Sequence, residues 1–163
     1  MSLALSLVVL AGLFTGPAAS AQMPRPFEAN PEALKDFADK NVGRRAIMSG
    51  DANQDGFLSK EEAEALTVLN LVCYRIDPFD VMTYEDLAKF PNLKEVYLGE
   101  SDVTEIDLSK NPKLELIGVQ SETLKVLTIA VGSQPKILFP PRAGEVTVRR
   151  VINPDDPNAI WYY

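Results

Sequence analysis

Residues 90–110 read FPNLKEVYLGESDVTEIDLSK, and residues 111–129 read NPKLELIGVQSETLKVLTI. Set one above the other, the two lines agree at six apolar positions. Leu93 falls on Leu114, Val96 on Ile117, Leu98 on Val119, Val103 on Leu124, Ile106 on Leu127 and Leu108 on Ile129, all at one constant spacing of twenty-one. Within each line the pattern L-x-x-L-x-L occurs twice, at 93–98, 103–108, 114–119 and 124–129.

That pattern is the core of the leucine-rich repeat signature. Each L-x-L core predicts a short strand, the strands stack in parallel, and the leucines fill one continuous interior. An antiparallel sandwich would need hairpins, and the repeat region holds no Asn-Gly or Asp-Gly turn. Upstream, residues 68–71 (VLNL) predict a preceding strand, and residues 83–90 (TYEDLAKF) a short helix capped by Thr83, with Asp86 at its third position. Leu87 and Phe90 of that helix pack onto the first repeat. Cys73, just past a strand, reads as a small buried filler. Downstream the period fails after Ile129. Residues 132–135 predict a turn, 136–139 one more strand, 145–151 a last strand at an edge, and 154–158 irregular chain. The aromatic ending at 160–163 (IWYY) predicts a cover for the open apolar end.

The second informative stretch is residues 51–62, DANQDGFLSKEE. It fits the twelve-residue calcium loop of an EF-hand. Asp51, Asn53 and Asp55 hold positions 1, 3 and 5. Gly56 stands at position 6, where the sharp turn needs a residue that tolerates positive φ. Phe57 at position 7 offers its backbone carbonyl, and Ser59 at position 9 ligates directly or through water. Glu62 at position 12 closes the shell. Ca²⁺ is a hard cation that takes roughly 6–8 oxygens, and this spacing delivers them around one point. Ser59 and Glu62 also make a capping box, which starts a helix with or without a metal.

Around the loop, Asn30 and Pro31 predict a helix start, with Leu34, Phe37 and Ala38 as its apolar stripe. Residues 41–43 predict a break, and residues 44–48 a second helical piece with Ile47 and Met48 inward. Residues 61–66 form the exiting helix. No second loop of this kind occurs, so Leu58 at position 8 must find a surface other than a partner hand.

Bulk properties bound the rest. The 163 residues carry a net charge of −7, which argues against nucleic-acid and anionic-membrane partners. One cysteine excludes an intrachain disulfide, and the absence of histidine excludes Ser-His-Asp, Cys-His and His-containing zinc sites. Residues 1–21 read as a secretory leader: an apolar run at 3–14, Pro17, then Ala19-Ser20-Ala21 as a cleavage site before Gln22. The start, Met1-Ser2, lacks the usual Lys or Arg. The expected mature chain is secreted or periplasmic, with no membrane segment after cleavage.

The order of these features resembles secreted bacterial leucine-rich repeat proteins. The residues that carry the likeness are D-A-N-Q-D-G-F-L-S-K-E-E-A at 51–63, V-L-N-L at 68–71, F-P-N-L-K-E-V at 90–96 and I-D-L-S-K-N-P-K-L at 106–114. The likeness covers residues 27–131. It departs from the pattern in having only about two full units. Asn111 fills the repeat's Asn position in its copy, whereas Ser101, Glu122 and Gly132 stand there in the other three.

The expected fold is α/β. A helical EF-hand-like segment (22–66) caps a short leucine-rich-repeat solenoid of parallel strands (67–163). The expected function is non-catalytic: Ca²⁺ bound by Asp51, Asn53, Asp55, Phe57, Ser59 and Glu62, with a protein or other extracellular ligand on the repeat face. Two alternatives stay open. One is a carboxylate-dependent hydrolase using Asp77 with Asp80, Glu85 with Asp86, or Asp155 with Asp156. The other is a structural or adhesive protein that calcium merely stabilises.

Overall fold

The computed structural model describes residues 30–72, 81–152 and 161–162. The expected leader, Cys73 and residues 154–158 lie outside them. The strands are β1 (Val68–Asn70), β2 (Glu95–Leu98), β3 (Glu105–Leu108), β4 (Leu116–Val119), β5 (Val126–Ala130), β6 (Lys136–Leu138), β7 (Thr147–Val151) and β8 (Trp161–Tyr162). They form two sheets, ordered β1-β2-β4-β6 and β3-β5-β7-β8. All described pairings are parallel except β7 with β8.

The recurrence in the sequence reappears as register. Val96 pairs with Ile117 across β2 and β4, and Ile106 with Leu127 across β3 and β5. The four copies are therefore not four neighbours in one stack. Successive copies alternate between sheets, because the polar run at 99–102 ends β2 and the chain comes back on the other side. Each repeat unit supplies one strand to each sheet.

Alternation along each strand then sends the leucines inward. β2 and β4 both read half-buried, buried, half-buried, buried, and β3 reads exposed, buried, exposed, buried. Of the aligned apolar positions, Val103 is partly buried and all the others are buried in one cluster with Phe90, Leu69 and Leu71. Each such side chain contributes about 1.5–3 kcal/mol relative to leaving it in water.

The period does not end at Ile129. β7 pairs with β5 at the full interval of the repeat, Leu127 facing Val148. β6 pairs with β4 at an interval one shorter, Ile117 facing Ile137. The third unit is hidden in the sequence because Pro135, Glu145 and Arg150 stand one full period beyond Leu114, Leu124 and Ile129. Its core contribution is thinner: Ile137, Val146 and Val148 are only partly buried. β7 is not an edge strand, since β8 covers its far side.

The N-terminal segment also differs from expectation. Residues 31–36 form successive turns rather than an α-helix, with N–H groups of Ala33, Leu34 and Lys35 bonded three residues back. The helix, α1, is Lys40–Gly50 and runs through 41–43 unbroken. Asp39 starts it by accepting from the N–H groups of Asn41 and Val42. Gly43 breaks nothing; its bare Cα is where the Phe37 ring sits, and a Cβ there would lie 2.7 Å from that ring. Ile47 is buried as expected, but Met48 is exposed. α1 lies against β1, and α2 (Lys60–Ala65) follows the loop. Residues Glu85–Lys89 form a 3-10 helix without a side-chain cap; Thr83 Oγ1 merely accepts from Glu85 N–H at 3.3 Å. Leu87 and Phe90 are fully buried, as the sequence predicts.

Candidate functional site

The acidic loop at 51–62 is folded around its own backbone. Asp51, at the end of α1, accepts from Asp55 N–H at 3.2 Å and from Gly56 N–H at 2.8 Å. Asn53 Oδ1 accepts from Asp55 N–H at 2.9 Å, and Asp55 Oδ1 from Phe57 N–H at 2.8 Å. Such short side-chain-to-backbone bonds are what Asp and Asn supply in turns. Gly56 has φ +83°, the conformation its position was expected to need. Gln54 also has positive φ, at +62°, which its residue type did not signal.

Glu62 closes the loop. Its Oε1 accepts from Ala52 N–H at 2.9 Å and Asn53 N–H at 3.3 Å. Its Oε2 accepts from Ser59 N–H and Ser59 Oγ, both at 2.9 Å, and Ser59 Oγ receives Glu62 N–H in return. The capping box read from the sequence is therefore formed, and it starts α2. The Ser59 N–H and hydroxyl hold the Glu62 carboxyl below the usual glutamate range; desolvation opposes them, and the Ala52 and Asn53 N–H groups add lesser lowering effects.

The donor types suit a hard cation: carboxylates of Asp51, Asp55 and Glu62, the Asn53 amide oxygen, the Phe57 carbonyl and the Ser59 hydroxyl. In the arrangement described, the side-chain oxygens of Asp51, Asn53, Asp55, Ser59 and Glu62 accept from backbone N–H groups within residues 52–62. Among the described residues no three Asp, Glu or Cys side chains stand together closely enough to hold a metal as placed.

Leu58 has its substitute surface. It packs against the cluster of Ala33, Leu34 and Ile47 and against the main core. Gly50, at the end of α1, makes room for it: a Cβ there would lie 2.5 Å from Leu66 and 2.8 Å from Leu58. Asn30 stands beside Gly56, so the turns at 31–36 and the loop share one side of α1.

Of the carboxylate pairs considered for hydrolysis, Asp77, Asp80, Asp155 and Asp156 lie outside the described residues. Asp86 is buried, and its oxygens accept from Ala38 N–H, Asp39 N–H and Lys89 Nζ. Asn111 is buried between repeats, and its Nδ2 donates to the carbonyls of Leu87 at 2.8 Å and Phe90 at 2.9 Å. Among the described residues no helix is long and apolar enough to cross a membrane. Comparison of the chain with protein-family models, curated proteins and solved structures finds no significant match.

Proposed function

We propose that this chain is an exported calcium-binding interaction protein without catalytic activity. In this reading the parallel strands are a short leucine-rich-repeat solenoid. The segment carrying loop 51–62 is an EF-hand-like cap on its N-terminal end. Asp51, Asn53, Asp55, Phe57, Ser59 and Glu62 would hold the ion. The observation that carries the reading is the reach of Glu62. Its carboxylate spans from α2 back to Ala52 and Asn53, which brings position 12 of the loop to positions 2 and 3. A bound cation would draw the Asp51, Asp55 and Glu62 carboxylates together around its charge, and it would compete with the capping box for Glu62.

An unpaired loop in an exported protein has abundant external calcium, so the expected Kd is on the order of 10⁻⁴–10⁻³ M. Titration calorimetry with CaCl2 tests this, with Glu62→Gln as the variant expected to lose the heat. Binding to the folded state alone stabilises by about 2.7 kcal/mol when the ion is at roughly 100 times Kd. The wild-type melting temperature should therefore fall when chelator replaces millimolar calcium. A melting curve that ignores the exchange would make the loop only a turn. Export is tested by mass spectrometry of the secreted or periplasmic protein, which should begin at Gln22. A purely structural role for calcium predicts no partner in a pull-down from the exported fraction, with or without chelator.

A further inference from the structure

The outer face of the β1-β2-β4-β6 sheet carries a feature that the loop does not explain. In register across it stand Asn70, Tyr97, Gly118 and Leu138. Gly118 lies under the Tyr97 ring: a Cβ there would come within 2.8 Å of Tyr97 Cδ1. The ring is pinned at its far end, where the Tyr97 hydroxyl donates to Glu95 Oε2 at 3.0 Å. Leu138 and Phe139 continue the surface and are 43% and 38% exposed. A groove lined by Tyr97, Gly118, Leu138, Phe139, Pro140 and Pro141 runs past the C-terminal ends of the strands.

Among the described residues that line this groove, the charge has one sign. Glu100 and Glu122 line the groove and are exposed, and no Lys or Arg lines it among the described residues. Neither carboxylate forms an ion pair with a described residue. The face's cations sit at the opposite ends of the strands, where Lys94 pairs with Glu115 at 3.2 Å and Lys136 begins β6. The hydrogen bond to Glu95, then burial and that carboxylate's charge, pushes the Tyr97 phenol above its ordinary range. An aromatic face beside unpaired carboxylates attracts a cation in two ways at once, through the ring quadrupole and through charge.

We infer that this groove docks a basic peptide segment of a partner protein, an Arg or Lys side chain lying over Tyr97 toward Glu100 and Glu122, with apolar neighbours against Leu138 and Phe139. The inference rests on the interaction reading proposed above and names its face and partner chemistry. A neutral sugar would use the ring without using the carboxylates, so the charge arrangement favours the peptide.

The test is a ¹⁵N-¹H NMR titration of the intact protein with three probes: a capped hexapeptide of alternating leucine and arginine, the same peptide with glutamate for arginine, and a neutral glucose hexasaccharide. The arginine peptide should shift the amides of Tyr97, Gly118, Gln120 and Leu138 and bind at least about tenfold more tightly than the glutamate peptide. Glu100→Gln with Glu122→Gln, at exposed sites that leave folding intact, should weaken it about three- to tenfold and flatten its salt dependence. Tyr97→Phe keeps the ring and should retain binding, whereas Tyr97→Leu should lose it. If the hexasaccharide or the glutamate peptide moves this face and the arginine peptide does not, the cationic partner is wrong and an interaction face survives. If no probe moves the face, both the inference and this choice of interaction face fall. Binding of the arginine peptide that is indifferent to the Glu100 and Glu122 changes also overturns the inference. Calcium binding at the loop is read separately, by calorimetry in the absence of peptide.

Discussion

The buried carboxylates of Asp39 and Asp86 bind the backbone at each other's segment. Asp86 Oδ2 accepts the N–H of Asp39 itself at 2.8 Å, and its Oδ1 accepts that of Ala38 at 3.1 Å. Asp39 Oδ2 in turn accepts from Met82 N–H at 2.6 Å, while its Oδ1 caps α1. Residues 47 positions apart in the chain thus tie the N-terminal segment to the 3-10 helix ahead of the first repeat. Both side chains are at most 4% exposed, and the bonds from Asp39 N–H to Asp86 and from Val42 N–H to Asp39 are buried, so those two N–H groups have no water to turn to.

Asp86→Ala is therefore expected to destabilise the protein by about 2–4 kcal/mol, chiefly through the buried Asp39 N–H left without an acceptor, with the Ala38 N–H bond lost as well, while Lys89 keeps its bond to the Asp36 carbonyl. Urea unfolding checks it. Asp86→Asn keeps one acceptor oxygen and should cost less. A loss for the alanine variant no larger than about 0.5 kcal/mol, the size expected of an ordinary surface change, would show that the segments are not held by this clasp.

Gly43→Ala sets two effects against each other. Alanine favours a helix interior by about 1 kcal/mol over glycine. Its Cβ would also press on the Phe37 ring at 2.7 Å and on Leu34 at 3.0 Å, and overpacking costs about 1–3 kcal/mol. The expected net effect is destabilisation. Pairing the change with Phe37→Leu should recover much of it, and thermal melts of the single and double variants decide the sign.

Ile117→Ala should cost about 2–5 kcal/mol, because Ile117 is fully buried between Val96 and Ile137 in register. Lys125→Ala, at an exposed position of the same repeat, should stay within about 0.5 kcal/mol. Lys113→Ala loses a hydrogen bond to Asn92 but at an exposed site, so it should be similarly mild. Equal costs at both kinds of position would contradict the strand register.

Glu62 gives a pH dependence with a definite sign. Its folded value is lowered from 4.5 chiefly by the Ser59 backbone and hydroxyl hydrogen bonds. The stability it contributes is thus present above the unfolded value near 4.5 and lost as pH falls through the lower folded value. Glu62→Gln retains an acceptor for the capping box and removes the titrating charge. In calcium-free buffer, the wild-type advantage should shrink as the pH is taken below 4.5. An unchanged gap between the two unfolding curves from about pH 6 to about pH 3 would mean that Glu62 does not titrate against these bonds.

The sequence alone determined which residues face inward at 93–129, since a periodic match of apolar side chains at strand spacing admits one register. It also determined the capping box and the need for Gly56, because both depend on residues within one turn of chain. Tertiary structure decided what depends on distant neighbours. Successive copies fall in opposite sheets because each strand is paired with one a full unit away, not with the next in the chain. The third unit forms, despite Pro135, Glu145 and Arg150, because β4 and β5 present edges that it completes. Gly43 stays helical because Phe37 fills the space a side chain would take, and the start of α1 moves to Asp39 because Asp86 is there to receive its N–H. Local chemistry is written in neighbouring residues; a contact between residues tens of positions apart exists only once the core has brought them together.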